Sequence, residues 1–201
     1  MKLKKIASLA LAGIMAVSML AGCNGNGGTT TPVTDDVTGQ SSIVSIVNSG
    51  IVGNAAGISF KYDSSLANTL EMLVRKSGAD ANADDLRDDL MDELDYDKVT
   101  GPSDGGNFHQ NDLNYAAERT VDAVKVFKMS GKSMDATYAA YQMASNIAKV
   151  VNELEKSTAL NSAVCNFTYE NANVCMVEVE VDGNNYYFVA VTLTSVGEIQ
   201  S

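Results

Sequence analysis

A basic start (Lys2, Lys4, Lys5) leads into an apolar run over residues 6–20 broken only by small side chains. This is the layout of a secretory signal, and the run is shorter than the about 20 apolar residues a spanning helix needs. Residues 24–42 are polar, rich in Gly and Thr, and show no apolar period. They cannot bury enough surface to order themselves and read as a flexible stalk. Beyond the stalk the pattern becomes periodic. Ile43, Val47 and Ile51 recur at i, i+4, i+8 and predict a buried helix over 42–52. Residues 58–62 alternate like a short extended segment.

Leu66, Leu70, Leu73 and Val74 form the stripe of a second helix. Asp63 or Ser64 can cap its start, Arg75 and Lys76 suit its negative end, and Gly78 stops it. Leu86, Leu90 and Leu94 predict a third helix over 82–94 whose other faces are acidic. A Gly-rich loop occupies 99–107. Leu113, Ala117, Val121, Val124 and Phe127 then predict a fourth helix over 111–129. Ser133 caps a fifth, to about 156, whose stripe carries Tyr138, Tyr141, Ala144, Ala148, Val151 and Leu154. The end changes period. Residues 174–181 and 186–193 are β-branched and aromatic, with Asp182-Gly183-Asn184-Asn185 between them as hairpin chemistry. A turn centred on Gly183-Asn184 pairs Val181 with Tyr186, Val179 with Phe188 and Val177 with Ala190. Residues 163–169 add a strand through an Asn-rich turn at 171–173. The sum is an α+β class: helices packed on a small antiparallel sheet with a C-terminal β-hairpin, in one domain over 43–201.

The apolar run ends in Leu20-Ala21-Gly22-Cys23, which resembles the bacterial lipobox. The resemblance implies cleavage after a signal peptide of residues 1–22 and a diacylglycerol on the Cys23 thiol, with palmitate-type acyl chains. Residues 23–42 are then a lipidated N-terminus and stalk. Two acyl chains hold a protein stably where one does not. The expected place is the outer face of a bacterial cell membrane, with the membrane as partner through Cys23. Charge narrows the rest. The chain has 25 acidic and 14 basic residues; without Lys2, Lys4 and Lys5 the mature form stands near −14. That excludes a nucleic-acid partner and disfavours lying on an anionic bilayer.

Candidate chemistry is sparse. Cys165 and Cys175 are either a disulfide, which the compartment allows, or two buried thiols. His109 is the one histidine, so a zinc site is not expected, nor any other cofactor. Asp80, Asn82 and Asp84 match positions 1, 3 and 5 of a calcium loop, but Asp85 stands where Gly is required and Met91 where Glu is. A solvated helix face with acids at its N-terminal end explains them better. Gly131-Lys132-Ser133 lacks the earlier Gly of a phosphate loop, since residue 126 is Val. Tyr186-Tyr187-Phe188 and the Tyr138/Tyr141 pair could stack on a sugar or peptide, but read first as core and interface aromatics.

Two segments resemble the CAP superfamily of cysteine-rich secretory, antigen 5 and pathogenesis-related proteins. Ile46-Val47-Asn48 followed by residues 57–67 is similar to that family's first helix, linker and second helix, with Ile51 in place of its Arg. Residues 157–168 are similar to its C-terminal Ser-x-x-His and Asn-x-Phe-Thr motifs. The resemblance implies an α-β-α sandwich. It also implies a lost site, because the family cleft holds two histidines and two acids while its second His aligns with Leu160. The first His would correspond to His109 and one acid to Glu118. The function expected is a non-catalytic binding module for a protein, peptide or cell-wall ligand. The alternative is an extracellular hydrolase or metal-dependent enzyme using His109 with Glu118, Asp112 or Asp104.

Overall fold

The computed structural model describes residues 38–96, 120–131, 134–160, 163–181 and 184–200. Among these, four α-helices sandwich a mixed five-stranded sheet. The elements in order are α1 (Thr38–Gly50), β1 (Lys61–Tyr62), α2 (Ser64–Ser77), a 3-10 turn (Gly78–Asp80), α3 (Ala83–Glu93), β2 (Thr120–Gly131), α4 (Ala136–Glu153), β3 (Ser157–Leu160), β4 (Ala163–Val181) and β5 (Asn184–Gln200). The α+β class stands as read from the chain.

The helix ends follow local chemistry. Asp63 accepts from the Leu66 amide to open α2, and Gly78, at φ 63, closes it. Asn82 accepts from the Asp84 amide to open α3. Asp135 opens α4, accepting from the Thr137 and Tyr138 amides, two residues beyond the expected Ser133. Helix α1 begins at Thr38, inside the stretch expected to be stalk.

The sheet runs β1-β4-β5-β2, with β3 on the same side of β4 as β1. All pairs are antiparallel except β1 with β4. The spine is β5, paired with β4 on one side and with β2 on the other. Its side chains alternate between two cores. Tyr187, Val189, Val191 and Leu193 meet α1 and α4. Phe188 and Ala190 meet α2 and α3. Helices cover both faces, which is why residues 186–193 read as an apolar run rather than an alternation.

Four expectations change. The fourth helix is a strand where the structure describes it: all twelve residues of β2 pair with β5. Val121, Val124 and Phe127 suit a helical period, but Val121, Ala123, Val124 and Val126 are the side chains β2 buries, and long-range pairing decides between two local readings. The hairpin is tighter than expected. Val181 pairs with Asn184, Val179 with Tyr186 and Val177 with Phe188. The shift is two residues, so each side chain keeps its face. The Asn-rich segment at 171–173 is no turn. β4 continues through it, with a bulge, as one 19-residue strand. Lastly, α4 buries Ala140, Met143, Ala144, Ile147 and Val151. Tyr138 and Tyr141 fall on the outer face, 55% and 57% exposed, and are not core.

The single long β4 also decides the cysteines. Cys165 and Cys175 sit ten residues apart on one strand, roughly 33 Å at 3.3 Å per residue, against about 7 Å for a bridge. Both are free and buried, so a disulfide between them does not form in this fold. Burial pushes the Cys175 thiol up to about 12, the opposite of activation.

Candidate functional site

The most distinctive surface lies at the β4 edge. Among the described residues, β3 covers this edge at 163–166 and β1 covers it at Asn173 and Val174. Between them β4 bulges, with a register shift between Glu170 and Asn173 and Asn171 at φ 50. Asn is among the few side chains that tolerate this left-handed backbone, and bulges often re-aim strands beside functional sites.

A polar ladder locks the bulge to the middle of the sheet. Asn171 Nδ2 donates to Thr194 Oγ1 at 3.1 Å, and Thr194 Oγ1 donates to Asp122 Oδ1 at 2.6 Å. Thr192 Oγ1 donates to the Asn171 carbonyl at 3.0 Å and accepts from Asn173 Nδ2 at 3.3 Å. Tyr96 also hydrogen-bonds Thr192, and burial raises its hydroxyl above the usual tyrosine range. Thr192 and Thr194 are 1% and 5% exposed. Unpartnered, each buried hydroxyl would cost about 1–3 kcal/mol, so the ladder holds the bulge in one shape.

Two asparagines build the opposite wall. Asn48, on α1, donates Nδ2 to the Phe60 carbonyl at 2.9 Å and accepts from the Phe60 amide at 2.8 Å. Asn54 does the same for Ile58, donating at 3.0 Å and accepting at 2.9 Å, and also donates to the Ile51 carbonyl. Each side-chain amide stands in for one rung of a strand ladder. Ile58 and Phe60 are buried, so Ser59 points out.

Adjoining grooves lie on either side of residues 57–59. One, of about 400 Å³, lies between the end of α1 and residues 57–59. The other, of about 370 Å³, lies between residues 57–61 and β4 residues 169–173. They share Gly57, Ile58 and Ser59. Both volumes fall within the roughly 300–1,000 Å³ of small-ligand sites. The polar lining is mostly uncharged: Asn48, Asn54, Ser59, Asn171, Asn173 and backbone, with Lys61 and Glu170 as the charged members. Such a surface can hydrogen-bond a polar chain. Among its described residues it does not assemble a nucleophile with a base.

His109, Glu118, Asp112, Asp104 and Cys23 lie outside the described residues. Asn82 is spent on the α3 cap, and Asp84 pairs with Lys125 at 3.3 Å. Among the described residues, no three His, Cys, Asp or Glu side chains come together as metal ligands. Glu178 is pushed upward by burial, a trait that can mark catalytic acids. Its cross-strand neighbour Tyr187 is a core residue whose hydroxyl donates to the Met134 carbonyl, well along β4 from the grooves. That arrangement is structural. The groove asparagines escaped sequence reading. The available signal was Thr192-x-Thr194, two hydroxyls on one face of an apolar strand, and Asn171-Ala172-Asn173, two asparagines around one alanine, at the paired edge. No family model matches the chain, and neither the curated proteins nor the solved structures compared with it give a match.

Proposed function

We propose that this chain is an extracytoplasmic lipoprotein, tethered through Cys23, whose domain binds a protein, peptide or cell-wall ligand without catalysing its conversion. The observation that supports the binding half is the pair of adjoining grooves meeting at Gly57, Ile58 and Ser59, with walls held by Asn48, Asn54 and the Asn171 ladder. A preorganised, amide-lined surface favours recognition, because little ordering remains to be done on binding. The tether rests on the signal-like start and the residues around Cys23. Among the described residues, no helix is long and apolar enough to cross a membrane.

One variant tests both halves. Cys23→Ala should move the chain from the membrane fraction to the soluble one and abolish palmitate labelling. Solubilised cell-wall and envelope peptide fragments added to that soluble chain should shift the backbone amide resonances of residues 57–59 and 170–173. An unmoved membrane fraction overturns the tether; amide shifts confined to other regions overturn the groove.

A further inference from the structure

The second groove has an electrostatic character at odds with the rest of the protein. Acids outnumber bases 25 to 14. Yet Lys61 lines this groove, and the Lys156 Nζ lies 3.7 Å from where a Gly57 side chain would begin. Gly57, at φ 73, is shared by both grooves, so the Lys156 ammonium hangs over their common ridge. Both lysines are exposed, and among the described residues neither forms an ion pair, whereas Lys125 is paired with Asp84. Among the described residues the lining carries one carboxylate, Glu170, on the opposite wall. Asp63, two residues past Lys61, is occupied in capping α2.

The backbone adds a second requirement. Lys61 and Tyr62 pair in parallel with Asn173 and Val174. Upstream of that pair the two chains part, and the groove fills the wedge between residues 57–60 and the bulge. Among the described residues no backbone hydrogen bond joins residues 57–60 to 169–172, and with Ile58 and Phe60 bonded to Asn54 and Asn48 it is the Ser59 peptide groups that are left for a partner on this side. An extended peptide in the wedge can reach both sides, as in strand addition to a sheet edge. Two ammoniums, each with three donors, then suit a carboxylate on that peptide.

Building on the groove as binding site, we infer that its ligand is a peptide presenting a carboxylate, at its C-terminus or on an acidic side chain, to Lys61 and Lys156. The test uses the full mature chain in detergent and three probes: Ala-Ala-Ala with a free C-terminus, acetyl-Ala-Glu-Ala-amide and acetyl-Ala-Gln-Ala-amide. Binding is read from the amide shifts of residues 57–59 and 170–173. At least one carboxylate probe should bind at least tenfold more tightly than the neutral one, and which of the two does so identifies the source. The advantage should shrink with added salt and vanish in the Lys61→Gln/Lys156→Gln double variant, while Lys125→Gln keeps it. Equal binding of all three probes at the groove leaves the groove standing and overturns the carboxylate. A preference that survives the double variant also overturns it. Shifts at the groove with none of the probes, despite shifts there with envelope fragments, overturns the peptide assignment; absence of groove shifts with either overturns the groove itself.

Discussion

Phe188→Ala should lower stability by about 3–5 kcal/mol, a large share of the 5–15 kcal/mol typical of a domain. Phe188 is 1% exposed at the centre of the α2/α3 core, beside Val124, Val126, Cys175 and Val177. It projects from β5, which is paired along both sides, so the backbone around it cannot close onto the space left behind. The cost combines lost transfer of the ring out of water with an unfilled cavity. Tyr138→Ala, on the outer face of α4, should change stability by no more than about 0.5 kcal/mol. Urea denaturation midpoints of the two variants check both. A comparable loss in each would place α4 with its tyrosines inward and contradict the packing of the α1/α4 core.

Asn48→Ala should lower stability by about 2–4 kcal/mol, because the Phe60 amide and carbonyl both lose their side-chain partner. Residues 57–60 would then lose their anchor to α1, and both grooves their common ridge. Asn48→Asp makes the test sharper. A carboxylate can still accept from the Phe60 amide but repels the Phe60 carbonyl, whereas a protonated carboxyl can donate to it. The folded state therefore favours the protonated form, raising the carboxyl above the usual range near 3.9. With folded value above unfolded, the variant's stability is fully present below about pH 4 and is lost as pH rises through the folded value. Thermal melts of Asn48→Asp at pH 4 and pH 7, each against wild type at the same pH, should show the larger deficit at pH 7. A deficit independent of pH would remove the paired Asn48–Phe60 hydrogen bonds from the explanation.

The helices were legible where local chemistry and burial agree. Asp63, Gly78 and Asn82 act within a turn of the residues they serve, so spacing alone places α2 and α3. β2 was not legible, because its Val and Phe spacing satisfies two periods and the pairing partner lies some 70 residues away. The 171–173 segment misled for a related reason: Asn favours both turns and left-handed bulges, and only Thr192 and Thr194 on β5 select the bulge. The α4 stripe was right at Ala144, Val151 and Leu154 and misplaced in its first turns, since Tyr138 and Tyr141 look apolar while small Ala139 and Ala140 do the packing. The groove itself could not be read at all. Apart from Asn54, which bonds within four residues, its walls are side-chain amides bonded across 12 to 23 residues, which no local pattern encodes.

The most direct test of a binding module against an enzyme is the affinity of the mature chain for solubilised envelope fragments in two variants. Ser59→Trp fills the shared ridge of both grooves from an exposed position without entering the core. His109→Ala removes the one imidazole an enzyme of the alternative kind would use. Calorimetry should show binding lost, by at least tenfold, in Ser59→Trp and unchanged in His109→Ala. Binding retained in Ser59→Trp, together with turnover of the fragments that disappears in His109→Ala, would contradict the groove and establish the enzyme instead.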